Sequence, residues 1–243
     1  NGNYTLDESP TRTECGETTV EFKANLEGYA DAFGSATIKI TKRPVEIKAA
    51  SASKTYGEAD PTFAEATMSG QVSGELTDVD LSVSRSDAGN DTLGTHENVL
   101  NISQSKEELE AAYTNYTFTV TPADFTVNEN KTALTVSAAD VTKVYDGTTE
   151  ARLVETGTLS DNYDGKNLVI VAGKASYENK NVGPDKQVTF TGFALDGSAA
   201  ANYVLNGQPE STTADITAKE LTITGLKVKD KQYDGKKNAE IDG

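Results

Sequence analysis

A short motif returns along this chain at a nearly constant interval. Lys143-Val144-Tyr145-Asp146-Gly147 reappears as Lys231-Gln232-Tyr233-Asp234-Gly235, and a shorter form, Lys54-Thr55-Tyr56-Gly57, precedes both. The tyrosines stand 145 − 56 = 89 and 233 − 145 = 88 residues apart, each two places after its lysine. Other columns keep step: Asn115-Tyr116 returns as Asn202-Tyr203 at an offset of 87, and Gly94 returns as Gly183 at an offset of 89. Independent columns agreeing this closely mean a unit copied in tandem. A unit of roughly 90 residues can bury about two-thirds of its unfolded surface, so each copy can hold its own core without staples.

The balance of charge narrows the partners. Formal charge is 22 − 38 = −16, and Lys and Arg form no block. Nucleic acid needs a basic face, and so do anionic membranes. An acidic surface is a solubility device on a solvated molecule. Cys15 is the only cysteine, His96 the only histidine, Met68 the only methionine, and tryptophan is absent. A lone cysteine forms no internal bridge, and the redox compartment stays open. No run of eighteen apolar residues and no signal-peptide pattern occur. The chain opens at Asn1, so it is expected to be a piece of a longer protein and missing targeting signals carry no weight.

Residues 1–43 read as the closing part of a domain. Stretches 18–24 and 36–41 alternate with period two, separated by Gly28, Asp31 and Gly34, and Pro44 is expected to end the ladder. Residues 44–129 form the first complete repeat, with alternating strands at 45–49, 81–85, 99–103 and 116–121. Between the last two, 105–113 reads as a helix, because Ser105 and Glu108 have capping-box spacing. Residues 130–218 repeat the plan with strands at 134–137, 188–193 and 214–217. The longest apolar run, 168–172, predicts a central buried strand, and 198–201 a helical turn just before Asn202-Tyr203. Residues 219–243 begin a further copy.

Short alternating strands, polar turns and one helical turn per unit predict an all-β fold. We expect tandem antiparallel Ig-like β-sandwiches, stacked end to end as a semi-rigid rod, with one short helix per repeat. A β-grasp-like module ranks second.

The columns resemble known families. Lys54-Thr55-Tyr56-Gly57-Glu58-Ala59-Asp60-Pro61, Leu93-Gly94-Thr95 and Asn115-Tyr116 are similar to bacterial Ig-like MBG repeats, with His96 in place of the usual tyrosine. Lys143-Val144-Tyr145-Asp146-Gly147-Thr148-Thr149, residues 177–183, 188–193 and Asn202-Tyr203 resemble the related YDG repeats. Residues 16–20, Tyr29 and 34–38 are similar to the end of another bacterial Ig-like repeat. The resemblance implies a large secreted or wall-anchored bacterial surface protein, often an adhesin, with these repeats as the stalk. It transfers no catalytic residue.

Each chemical candidate has a plainer reading. Tyr145-Asp146-Gly147 reads as a turn, since Gly permits positive φ and Asp can bond its own backbone; the tyrosine is expected to bury its ring. Glu107, Glu108 and Glu110 read as a solvated helix face rather than glycosidase carboxylates. One His and one Cys make neither a zinc site nor a nucleophile pair. Asp78-Val79-Asp80 and Asp161-Asn162-Tyr163-Asp164 lack the spacing of a calcium loop. The Asn-x-Ser/Thr triplets at Asn3, Asn90, Asn101, Asn115 and Asn130 follow from composition. A Lys–Asn isopeptide bond between Lys54 and Asn115, or Lys143 and Asn202, is the sharpest covalent idea.

No catalytic, cofactor-binding or metal residue is assigned, and no cofactor is expected. The expected function is a non-catalytic stalk segment on the bacterial cell wall. Other parts of the full-length protein would engage a host glycan or extracellular matrix protein, and neighbouring repeats would meet in cis. The competing reading is a module binding such a ligand through its own loops.

Overall fold

A computed structural model describes residues 11–25, 27–137 and 141–242. It divides into two compact units, residues 1–129 and 130–243.

The first unit opens on a hairpin of β1 (Gly16–Ala24) and β2 (Ala32–Ile40), paired antiparallel from Gly16 opposite Ile40 to Ala24 opposite Ala32. Its register puts Val20 and Phe22 on the same face as Ile38 and Ile40. Gly34 stands opposite Phe22, where a Cβ would lie 2.6 Å from the ring. A side chain at 34 would force that partly exposed ring to shift.

The first repeat follows, with β3 (Arg43–Lys48), β4 (Ala52–Thr55), β5 (Thr67–Ser69), β6 (Val83–Arg85) and β7 (Gly94–Ile102). Helix α1 (Lys106–Ala112) leads into β8 (Tyr116–Thr121) and β9 (Ala123–Asn128). One sheet has the order β5-β3-β8 and the other β4-β9-β7-β6. The opening strands β3 and β4 run parallel to the closing strands β8 and β9, and both pairs pass together from one sheet to the other. Val45, Ile47, Leu109 and Phe118 are buried in one cluster, and Leu100, Phe125 and Val127 in another. The Ser105–Glu108 capping box is formed in both directions.

Pro44 does not end a ladder. It lies inside β3, opposite Thr117. Arg43 donates its N–H to Asn115 O at 2.9 Å, so the next residue faces away from β8, and β5 pairs only with residues 46–48. The proline's missing N–H therefore falls where no strand asks for it.

The second repeat contains β10 (Asn130–Thr132), β11 (Leu134–Thr135), β12 (Lys143–Val144), β13 (Glu150–Ala151) and β14 (Thr158–Leu159). Then come β15 (Val169–Val171), β16 (Lys174–Tyr177), β17 (Gly183–Thr191), β18 (Ala194–Asp196), β19 (Tyr203–Leu205) and β20 (Thr212–Thr217). Its main sheet has the order β12-β20-β17-β16-β13 around Val188, Phe190 and Ile216. The registers repeat those of the first copy. Arg43 pairs with Tyr116 and Asn130 with Tyr203, both partners shifted by 87; Lys54 pairs with Val127 and Lys143 with Ile216, both shifted by 89.

The fold is all-β in character, but not antiparallel throughout. Opening and closing strands of each repeat are parallel because the rest of the repeat serves as the long crossover a parallel pair needs. The place of α1 is taken in the second copy by a 3₁₀ turn, Ala200–Asn202. The apolar run 168–172 is not a central strand: β15 pairs only with β18, leaving Val169 48% and Val171 43% exposed. Only Leu168 of that run is buried. Beyond β20, β21 (Lys227–Val228) and β22 (Ile241–Asp242) form a small ladder, and the alternating residues Leu221 and Ile223 are exposed. Among the described residues no helix is long and apolar enough to cross a membrane.

Candidate functional site

The recurring lysine closes a turn. Lys143 Nζ donates to Asp146 Oδ1 at 2.8 Å, Thr148 O at 2.9 Å and Glu150 O at 2.6 Å, and lies 5.6 Å from the Tyr177 ring centre. Asp146 Oδ1 also accepts the Thr148 N–H at 2.8 Å, and Gly147 adopts φ +82°. The Lys143 ammonium and then the Thr148 donors hold the Asp146 carboxyl down at about 2. The later copy repeats the geometry: Lys231 Nζ meets Asp234 Oδ1 at 2.9 Å and Lys236 O at 2.8 Å. The expected burial of the motif tyrosine does not occur at Tyr145, which is half exposed. Its backbone carries the fixed contact, with the Tyr145 N–H on Thr217 O at 2.8 Å, as the Tyr56 N–H sits on Asn128 O at 2.8 Å.

In the first repeat the equivalent lysine enters a larger ionic cluster. Lys54 Nζ lies 2.9 Å from Asp60 Oδ1 and 2.5 Å from Asp91 Oδ1. Burial works against its charge, yet Asp91 and Asp60 together hold its pKa above the ordinary lysine value. Arg85 donates to Asp60 at 3.0 Å and to Asp87 Oδ1 at 2.7 Å, while its guanidinium stacks 4.2 Å from the Phe125 ring centre. His96 Nδ1 faces Asp87 Oδ2, and its Nε2 lies 2.8 Å from Thr92 O. Arg85 first, then His96, pull the Asp87 carboxyl down to about 2.

Two further columns have structural roles in both copies. Tyr116 OH accepts the Val72 N–H at 3.3 Å and donates to Glu75; Tyr203 OH accepts the Tyr163 N–H at 3.0 Å and donates to Asp164 at 2.8 Å. After Gly94 and Gly183 the ladder shifts register, and Asn98 and Asp185 adopt φ of 57° and 51°. Each offers its N–H to a closing-strand carboxylate, Asp124 at 2.9 Å and Asp215 at 3.0 Å.

Residues 45–126 match the family of the MBG domain (YGX type), and residues 129–214 match that of the YDG domain. The chain carries an MBG domain followed by a YDG domain. No curated protein and no solved structure matches it.

Other sequence candidates are used inside their own domains. In the MBG domain Glu108 caps α1, and Glu110 accepts from Lys106 at 2.7 Å and from the Phe118 N–H at 3.0 Å, tying the helix to β8. That role is more specific than a solvated face. Asp80 accepts the Ser82 N–H at 2.9 Å. In the YDG domain Asp164 holds Tyr203, and Asp161 accepts the Ser160 hydroxyl at 2.8 Å. Lys54 and Asn115 are not brought together: Lys54 pairs beside Val127 near the end of β9, whereas Asn115 precedes β8 and accepts the Cys15 N–H at 2.8 Å. Lys143 is likewise held by its own turn, and Asn202 ends the 3₁₀ turn before β19. Asn3 lies outside the described residues.

Sequence reasoning did not find the ionic cluster. Its members are scattered over residues 54–96, and only the register of β4, β6 and β7 gathers them. A cleft of about 290 Å³ in the MBG domain runs between Glu75, Leu76 and the segment 112–116. Its floor residues Leu76 and Tyr116 are buried.

Proposed function

We propose that this tandem is a non-catalytic stalk segment of a large bacterial cell-surface protein, an adhesin, outside the cell at the wall. The observation that supports the reading is the internal use of the recurring polar side chains. Lys54 and Lys143, and Tyr116 and Tyr203, each hold a loop of their own domain. Selection that keeps such columns keeps a scaffold, and copied scaffolds add length. On this reading a host glycan or matrix protein is engaged by other parts of the full-length protein, and neighbouring repeats are the cis partners.

Small-angle scattering tests the spacer role. An extended particle is expected; a radius of gyration near ~18 Å, that of one compact body of this length, would overturn it. A second reading, a module that takes such a ligand itself, draws on the cleft beside Tyr113. Reproducible binding on a glycan array or to matrix proteins, lost in Tyr113→Ala, would favour that module.

A further inference from the structure

We propose that His96 is a proton-operated latch: its imidazolium completes the charge balance of the ionic cluster and fastens the loop between β6 and β7 to the MBG sheet. The position is distinctive because the chain has one histidine, and it stands in this cluster.

Both ring nitrogens face acceptors. Nδ1 points at the Asp87 carboxylate, and Nε2 at the Thr92 carbonyl oxygen 2.8 Å away. A neutral imidazole has one N–H, so either tautomer would aim a lone pair at an oxygen. The Asn90 amide nitrogen is 3.4 Å from Nδ1 and the same distance from Asp87 Oδ2, too long to replace a proton between ring and carboxylate. The geometry asks for the doubly protonated ring.

The charge count asks for it as well. Lys54 on β4, Arg85 on β6 and protonated His96 on β7 are three cations. Asp60, Asp87 and Asp91 are three carboxylates. The side chains of Lys54, Arg85 and His96 are 5%, 1% and 9% exposed, while Asp60, Asp87 and Asp91 keep 23%, 24% and 40%, so solvent reaches the carboxylates and screens part of any imbalance. The other packed element, β9, offers Phe125 opposite His96, and its Asp124 is occupied by the Asn98 N–H. Loss of the His96 proton leaves one negative charge in excess beside Asp87. The Thr92 and Asp87 acceptors accordingly hold the imidazole pKa above its ordinary value.

The sign follows. A group whose pKa is raised by folding contributes fully below its unfolded value, near 6.5, and that contribution disappears as pH rises through the folded value. The latch is closed in mild acid and loosens as pH rises through the folded value, while Arg85 on Asp87 and Lys54 on Asp91 still hold the loop.

The test uses the whole chain, whose single histidine gives one set of imidazole resonances. Expected are a His96 titration midpoint above about 6.5 and N–H on both nitrogens at about pH 6. The MBG thermal transition should fall between about pH 6 and about pH 8.5, and His96→Gln should abolish that fall. Asp87→Asn should lower the midpoint. A wild-type midpoint at or below about 6.5, or an unchanged pH difference in His96→Gln, would overturn the proposal. Should the glutamine variant not fold, the wild-type titration alone decides.

Discussion

Lys143 reaches forward to Asp146 and closes a turn that depends on little else. The same reach, Lys231 to Asp234 at 2.9 Å, forms in a segment where Leu221, Ile223 and Tyr233 are all exposed. A turn that keeps its geometry without a core around it is encoded locally. The ammonium, the Asp side chain and a glycine at positive φ are sufficient.

The Asp146 carboxyl should therefore titrate near about 2, as read from its side-chain carbon resonance. Its folded pKa is depressed, so its contribution is complete above about pH 4 and is lost as pH falls through the folded value. Lys143→Ala should return the midpoint toward the ordinary carboxylate value. It should also destabilise the YDG domain by about 1.5 kcal/mol, because backbone acceptors lose a charged donor.

Tyr203→Phe removes the hydroxyl that bridges Tyr163 and Asp164. A loss of about 0.5–1.5 kcal/mol is expected, seen as a lower urea midpoint for the YDG transition at unchanged slope. Tyr116→Phe should move the MBG transition in the same direction. A shift in one domain only would break the equivalence of the two columns.

Two glycines of the YDG domain separate backbone strain from crowding. Gly147 has φ +82° with open space where a Cβ would go, so Gly147→Ala should cost only the strain, about 1–2 kcal/mol. Gly157 has φ +89°, and a Cβ there would lie 2.4 Å from Thr135 O, in the strand pair of β11 and β14. Gly157→Ala should cost clearly more, measured by thermal or urea unfolding.

The intact mass should equal the summed sequence. Lys54 and Asn115 are engaged with other partners at different ends of the paired strands, and no ammonia is lost between them. A mass lower by one ammonia would call for peptide mapping, since a lysine–asparagine bond and a succinimide at Asn206-Gly207 both lose it.

Local features were legible in advance. The hairpin of β1 and β2 follows from period-two alternation, and α1 from the spacing of Ser105 and Glu108. The constant offsets announced equivalent domains, and the registers repeat them. What escaped depends on distant partners. Residues 168–172 have the composition of a buried strand, but their only strand partner is β18, so two of the valines meet solvent. Pro44 is accommodated inside a strand, against the expectation from its missing N–H, because its ladder is one-sided at that position. The cluster of Lys54, Arg85 and His96 shows no sequence spacing of its own; strand pairing creates it.

The parallel pairing of opening and closing strands has a mechanical consequence. A pull on the two ends of the MBG domain would slide β3 and β4 lengthwise past β8 and β9. From Arg43 on Asn115 to Tyr56 on Asn128, the backbone bonds would be loaded together in shear rather than unzipped singly. The YDG domain places Lys143 beside Ile216 in the same sense, with the Tyr145 N–H on Thr217 O. Traction along the polypeptide thus falls on the interactions best arranged to resist it.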